Sequence, residues 1–292
     1  MRVYIHLSDT HFGSKGVDVV LPRLKTLLKE RLAALDRGTK VGFIVTGDGV
    51  DSPTEDNASQ FLEFSDYLAL KSGREPLIVL GNHDVNHKGL AFRDGKQVLA
   101  NYVGGYPFLK RVDDAGVIFI LFNSNIDGIF SQGKIGRRQM EAAAAQLAKV
   151  KDIDRYTLVA VLHHHVAPVP EAVAPLPSFW KRFAPWWLLR FLITAFVERS
   201  MRLVDAEAFA HFLNAHQVRF VLHGHKHVPF VTEHENIHVI ACGSSTRRKV
   251  NGRECISFNV LTFDENTLRC DQYAEYELGA GAEVIGSAIF NL

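Results

Sequence analysis

Histidine, aspartate and asparagine side chains recur at five places in the chain, each directly after a run of apolar residues. The residues concerned are Asp9 and His11; Asp48; Asn82, His83 and Asp84; the run His163-His164-His165; and His225 and His227. Imidazole nitrogens and carboxylate or amide oxygens, without thiolates, suit Mn, Fe or Zn better than Mg or Ca alone. The pattern predicts one metal centre assembled from distant parts of the chain.

The apolar runs before these residues have the length and composition of buried strands. Rigid strands that open onto loops allow polar side chains from different strands to converge on one ligand. Between them, leucines at three- and four-residue spacing predict a helix that Asp18 caps, and further helices are predicted over residues 58–69, 137–150 and 205–216. The sequence therefore predicts an α/β protein with its site at the strand ends.

Two regions depart from this alternation. From Ile237 onward, short β segments separated by turn residues predict a largely antiparallel arrangement. Residues 87–116 combine aromatic residues with glycines, and we expect them to fold over the site rather than to extend a sheet.

Composition is that of an ordinary soluble globular protein. Of 292 residues, 47% are hydrophobic and 22% charged, which allows a large core. No stretch resembles a linker, so residues 1–292 are expected to form a single domain. The formal net charge of +1 gives no strong signal for nucleic-acid binding.

The cysteines and the residues at the start of the sequence indicate the cellular compartment in which the protein is expected. The three cysteines, Cys242, Cys255 and Cys270, lack metal-type spacing and are expected to be buried reduced thiols. The first predicted strand begins at Arg2, which leaves no room for a secretory signal. We therefore expect a cytoplasmic protein.

In their order along the chain, the motifs Asp-x-His, Gly-Asp, Gly-Asn-His-Asp, His and Gly-His-x-His resemble those of the calcineurin-like metallophosphoesterase family. The resemblance extends from Val3 to about Ser245. It implies a four-layer α/β/β/α sandwich, in which two mixed sheets are flanked by helices and the metal ions lie at the strand ends.

The same resemblance implies two metal ions, most consistent with Mn or Fe, with Zn as an alternative. One ion would be bound by Asp9, His11, Asp48 and His227, and the other by Asp48, Asn82, His164 and His225. His164 is selected by aligning His164-His165-Val166 with the His-His-Pro segment of relatives, and its neighbours His163 and His165 remain alternatives. Outside the ligand sets, His83 would act as general acid, with Asp84 fixing its orientation.

The activity implied is hydrolysis of a small phosphate ester by a metal-bridging hydroxide. The form of the motifs is most similar to the bacterial branch that contains class III cyclic-nucleotide phosphodiesterases, so a phosphodiesterase is favoured over a phosphomonoesterase. A non-catalytic scaffold with the same fold is a further hypothesis. Such relatives are expected to lack ligands or the acid, whereas this chain retains them.

An aromatic-rich insert over residues 168–204 follows the histidine run. It contains all three tryptophans, Trp180, Trp186 and Trp187, interleaved with arginines and lysines. Four hypotheses fit it: a lid over the site, a membrane contact through residues 179–203, a homodimer surface, or burial within the domain. A membrane contact would place the enzyme on the inner face of the membrane, with lipid-linked phosphate or pyrophosphate substrates.

Overall fold

The fold is described from a computed structural model covering residues 1–88, 92–97, 99, 105–126, 132–168, 203–246, 248–250 and 253–292. Its strands are β1 (Arg2–Leu7), β2 (Lys40–Thr46), β3 (Leu77–Val79), β4 (Val85–Lys88), β5 (Phe92–Gln97), β6 (Phe108–Val112), β7 (Val117–Leu121), β8 (Thr157–Val161), β9 (Val218–His223), β10 (Phe230–His234), β11 (Ile237–Ala241), β12 (Arg248–Val250), β13 (Arg253–Phe263), β14 (Thr267–Glu275) and β15 (Glu283–Asn291). The helices are α1 (Val17–Ala33), α2 (Glu55–Ser72), α3 (Arg137–Leu147) and α4 (Ala206–Ala215).

Two mixed sheets form the centre of the molecule. In the first sheet the strand order is β15-β14-β13-β1-β2-β3, with β12 paired to β13, and in the second it is β10-β11-β9-β8-β7-β6. Strands β1, β2 and β3 are parallel to one another, as are β7, β8, β9 and β11. The carboxyl ends of these parallel strands carry all five polar motifs.

Alternation along the strands explains the four layers. In β1, Val3 and Ile5 pack towards α1 and α2, whereas Tyr4 faces the second sheet. In β8, Ala160 packs towards α3 and α4, while Val159 faces the first sheet. Because neighbouring residues of a strand point to opposite faces, each central strand contributes to two cores. The predicted α/β/β/α sandwich with flanking helices is confirmed.

Two helix starts differ from the sequence prediction. Helix α1 begins one residue before Asp18, which lies in its first turn, and Gly16 occupies the capping position. At the start of α4, the Asp205 carboxylate accepts hydrogen bonds from the backbone N–H groups of Ile135 and Gly136 instead of capping its own helix. This aspartate therefore ties α4 to the loop before α3.

Two strand predictions were also incomplete. Residues 108–112 were expected to fold over the site. They instead form β6, which extends the second sheet. Strand β11 pairs in parallel with β9, so the region after Ile237 is antiparallel only in part. Strand β10 was not predicted.

Residues 169–202, which contain nearly all of the aromatic-rich insert, lie outside the described residues, so its four hypotheses stay predictions. Among helices of the described segments, none is long and apolar enough to cross a bilayer. Cys242, Cys255 and Cys270 are buried thiols that form no disulfide within the described segments, as expected.

Candidate metal centre

The loops that follow β1, β2 and β9 bring one compact group of ligands together. Donor atoms of Asp9, His11, Asp48 and His227 all lie within 4.8 Å of one another. The Nε2 atoms of His11 and His227 are 3.1 Å apart, and Asp9 Oδ1 lies 3.2 Å from His227 Nε2. We call Asp9, His11 and His227 the first half-site.

A second group lies beside it and shares Asp48. His163 Nε2 is 3.3 Å from Asp48 Oδ2, 3.2 Å from Asn82 Oδ1 and 3.1 Å from His225 Nδ1. We call Asn82, His163 and His225 the second half-site. The structure therefore gathers every predicted ligand residue except His164 into two half-sites joined by one carboxylate.

His163 takes the place that the sequence alignment assigned to His164. Its Nδ1 lies 2.7 Å from the carbonyl oxygen of Thr46, which directs Nε2 towards Asp48. The Nδ1 of His164 instead lies 2.8 Å from the hydroxyl of Ser124, in the loop after β7. Successive side chains of extended backbone point in opposite directions, so a shift of one residue exchanges the two roles.

Asp48 connects the half-sites through a single oxygen. Its Oδ2 lies 3.3 Å from His163 Nε2 and 3.9 Å from His11 Nε2. The other oxygen, Oδ1, accepts the backbone N–H of His83 at 2.8 Å. This bond fixes the carboxylate and links it to the loop that carries Asn82.

The backbone of the site is unusual. Nine non-glycine residues of the described segments have positive φ, and five of them are candidate ligands: Asp9, His11, Asp48, His225 and His227. Left-handed backbone is uncommon for such residues, and strain of this kind clusters at functional sites. The turns are also tight, since a Cβ atom at Gly224 would lie 1.7 Å from Ser8 Oγ, and one at Gly81 would lie 2.2 Å from Asp48 Oδ1.

Burial sets the charge state of two imidazoles of the half-sites. Burial lowers the pKa of His11 to about 4, although Asp48 partly opposes this, and it lowers the pKa of His225 well below its usual range. Both rings are therefore neutral near pH 7, the form that binds metals. For His163, burial also lowers the pKa, but the adjacent Asp48 outweighs burial and raises it to about 9.

The donor set fits divalent cations. Two ligands bound to one ion at about 2.1 Å and at right angles are about 3 Å apart, which matches the nitrogen-to-nitrogen separations in both half-sites. Within the described segments, the buried Oδ1 of Asp9 has no hydrogen-bond partner, and it faces His227 Nε2 in the first half-site. His11, Asp48, His163 and their partners therefore approach each other as metal ligands do.

The candidate acid His83 lies beside the first half-site. Its ring is 4.8 Å from the His11 ring, and its Nδ1 lies 2.7 Å from the backbone carbonyl oxygen of Asp51. Because a carbonyl can only accept, Nδ1 carries a proton and Nε2 is left to contact a substrate. The Asp51 carboxylate also lies 3.6 Å from His11 Nδ1.

Asp84 does not have the predicted role of orienting His83. Its two carboxylate oxygens accept the backbone N–H groups of Val50 and Gly81, at 2.9 and 2.7 Å. Burial, reinforced by the nearby Asp48, raises the pKa of Asp84 to about 7. Asp84 thus holds together the loops after β2 and β3, while the carbonyl of Asp51 contacts His83.

Sequence reasoning missed the polar loop after β7. Asn123, Ser124 and Asn125 are buried, Ser124 contacts His164, and Asn125 Nδ2 donates to the carbonyl of Leu80. The signal was present, because three consecutive polar residues follow the apolar run of β7. It was not recognised because none of the three is a histidine or an acid.

Comparisons with solved structures show proteins to which this chain is similar. GAP50, described as the anchor in the inner membrane complex of Plasmodium, superposes with a TM-score of 0.51 at 16% sequence identity, covering 99% of this chain and 88% of that one. The phosphopantetheinyl hydrolase PptH from Mycobacterium tuberculosis gives a TM-score of 0.46 at 13% identity, covering 83% of this chain and 90% of that one. These likenesses concern the fold.

No curated protein sequence matches the chain significantly. The family model described as calcineurin-like phosphoesterase matches residues 3–229, more than three quarters of the chain. With that match and the paired half-sites at the strand ends, the chain belongs to the calcineurin-like phosphoesterase family.

Proposed function

We propose that the protein is a phosphodiesterase that depends on two divalent cations. The observation that carries the proposal is the pair of half-sites that share the Asp48 carboxylate, with the Oδ2 atom facing both. Family membership supports phosphoester hydrolysis in general. The preference for diesters rests on the form of the sequence motifs.

The two half-sites would hold one cation each. Asp9, His11 and His227 would bind the first, Asn82, His163 and His225 the second, and Asp48 would bind both. Bound cations would supply a Lewis acid for the phosphoryl oxygens and lower the pKa of water at the site. The mixture of imidazole and oxygen donors favours Mn or Fe, with Zn as an alternative.

The residues of the chain would then divide the remaining work. His83 would donate a proton from Nε2 to the leaving oxygen of the ester, since its Nδ1 is held by the Asp51 carbonyl. The backbone N–H of His83 holds the bridging carboxylate, so the acid and the metal ligand are positioned by the same short segment.

A panel assay in Mn²⁺ tests the proposal. Bis-p-nitrophenyl phosphate and cyclic AMP serve as diesters, and p-nitrophenyl phosphate serves as the monoester. We expect faster turnover of a diester than of the monoester. Faster turnover of the monoester would contradict the diesterase assignment, and no turnover of any substrate at full metal occupancy would favour the scaffold hypothesis.

A further inference from the structure

The four outer strands of the two sheets differ in how their open edges are protected. Natural proteins prevent edge-to-edge pairing with short strands, charged side chains or bulges. Strand β3 has three residues, β6 carries Lys110 and Arg111, and β10 carries Glu233. Strand β15 has nine residues and its only charged side chain is that of Glu283 at its first position, so residues 286–291, beyond its bulge, carry neither a charge nor a bulge.

The surface along β15 is also apolar. Val284, Ile285 and Ile289 are 52%, 38% and 66% exposed. With Leu278, they make up four of the ten exposed large hydrophobic residues of the described segments, all within twelve positions of the chain. Exposed hydrophobic residues gathered along one edge strand and the turn before it are typical of interaction surfaces.

The hydrogen-bond pattern shows which backbone groups face outward. Leu292 N–H donates inward to the carbonyl of Asn266, whereas the carbonyl of Asn291 points the other way and accepts from Arg219. In an antiparallel strand, the N–H and C=O groups of successive residues point alternately to one side and to the other. Those of Ser287 and Ile289 therefore face outward, like the carbonyl of Asn291. Within the described segments, no strand pairs with this edge.

Both ends of the open edge are closed. At one end, the register between β14 and β15 shifts near Gln272, which marks a β-bulge beside Ile285. At the other end, the Arg219 side chain donates a hydrogen bond to the carbonyl oxygen of Asn291. The open part is therefore short and centred on Ala288. Gly286, Ser287 and Ala288 have small side chains, which allow another backbone to approach closely.

We propose that β15 pairs with β15 of a second copy of this chain, antiparallel about a two-fold axis at Ala288. In that register Ser287 of one copy lies opposite Ile289 of the other, and the two pairs exchange four backbone hydrogen bonds. No like charges meet, because residues 284–291 are uncharged. An identical strand therefore satisfies the outward hydrogen-bonding groups, and the two Ile289 side chains lie diagonally across the pair on one face. A C2 interface of this kind is self-complementary.

The first test is the oligomeric state of the full chain by sedimentation velocity over a range of concentrations. The variant Ile289→Lys places a charge on the edge at an exposed position, and Leu70→Lys places the same charge on the exposed face of α2 as a matched control. We expect wild type and Leu70→Lys to dimerise and Ile289→Lys to be monomeric. A monomeric wild type, or a dimer that Ile289→Lys does not weaken, would overturn the proposal.

The second test fixes the register. Opposed non-hydrogen-bonded residues of antiparallel strands lie about 4.5 Å apart between Cα atoms, within the range of a disulfide. Ala288→Cys should therefore form an intermolecular disulfide under mild oxidation, and the three native cysteines are buried and should not compete. A dimer in which Ala288→Cys forms no cross-link would refute pairing through β15. So would a dimer that is lost when Trp186 and Trp187 are changed to Ser but that Ile289→Lys does not affect.

Discussion

The two half-sites share a carboxylate but differ in exposure. In the second half-site, His163, His225 and Asn82 are buried, whereas the His227 side chain of the first half-site is 26% exposed. Ligands enclosed by protein exchange slowly with solvent, and an exposed ligand offers a path for the ion. Although Asp9 and His11 are also buried, we expect a cation to enter and leave the first half-site more readily than the second, through the side of His227.

The first variant removes the residue common to both half-sites. Asp48→Ala should abolish turnover and reduce the bound metal to less than one equivalent, because each ion loses a ligand and the loop holding His83 loses its anchor. Elemental analysis and turnover of bis-p-nitrophenyl phosphate in Mn²⁺ measure both effects. If Asp48→Ala kept two equivalents, Asp48 would not be the shared ligand.

His83→Ala should slow the chemical step without removing a cation from either half-site. We expect turnover to fall by about 10²–10⁴-fold, the effect typical of a lost general acid, while both metal equivalents remain. The loss should be smaller for an ester whose leaving group needs no proton. Full activity of His83→Ala on an ester with a poor leaving group would show that His83 is not the acid.

A pair of matched variants tests the second half-site alone. His163→Ala should weaken binding of one cation by about 10²-fold or more, exceeding the effect of an outer contact, whereas His164→Ala should keep both ions. Isothermal titration of the metal-free protein with Mn²⁺ counts the sites and gives their affinities. The reverse result, with His164→Ala losing an ion, would restore the assignment made from sequence alignment.

These variants concern the point at which sequence and structure diverge. Strand tips and their polar residues could be predicted, because apolar runs followed by histidine or aspartate leave a local signal, and the four layers were implied by the resemblance to the family. The choice between His163 and His164 could not be predicted, because it depends on Thr46 and Ser124, which contact the two rings from distant parts of the chain. The partner of His83 was missed for the same reason, since a backbone carbonyl such as that of Asp51 has no signature in the sequence.

Asp51 provides a smaller test of the first half-site. Its carboxylate faces His11 Nδ1 at 3.6 Å, and a carboxylate beside a metal-bound imidazole typically raises metal affinity. Because 3.6 Å is longer than a hydrogen bond, Asp51→Asn should weaken the first cation by about 10-fold, the lower end of the effect of an outer partner, and leave the second unchanged. The backbone carbonyl that contacts His83 is retained in this variant, so turnover at saturating metal should be close to wild type.

The smallest expected effect is a pH dependence of stability in the metal-free protein. Asp48 raises the pKa of His163 to about 9 against burial, from an unfolded value of 6.5. A raised pKa stabilises the fold fully below pH 6.5, and that contribution is lost as the pH rises through about 9. Because the pKa of Asp84 is raised to about 7, that group still loses protons between pH 7 and 8, and the interval from pH 8 to 9 largely isolates His163 from it.

Thermal unfolding of the metal-free protein should therefore show a Tm that falls from pH 7 to pH 9, and His163→Gln should remove most of the fall. Burial raises the pKa of Cys255 and Cys270, so ionisation of unfolded thiols contributes near pH 9, equally in both proteins. Saturating Mn²⁺ should also flatten the slope, because an ion in the second half-site displaces the proton of His163. A slope unchanged by both His163→Gln and Mn²⁺ would show that His163 is not paired with Asp48, and would remove the main argument for the second half-site.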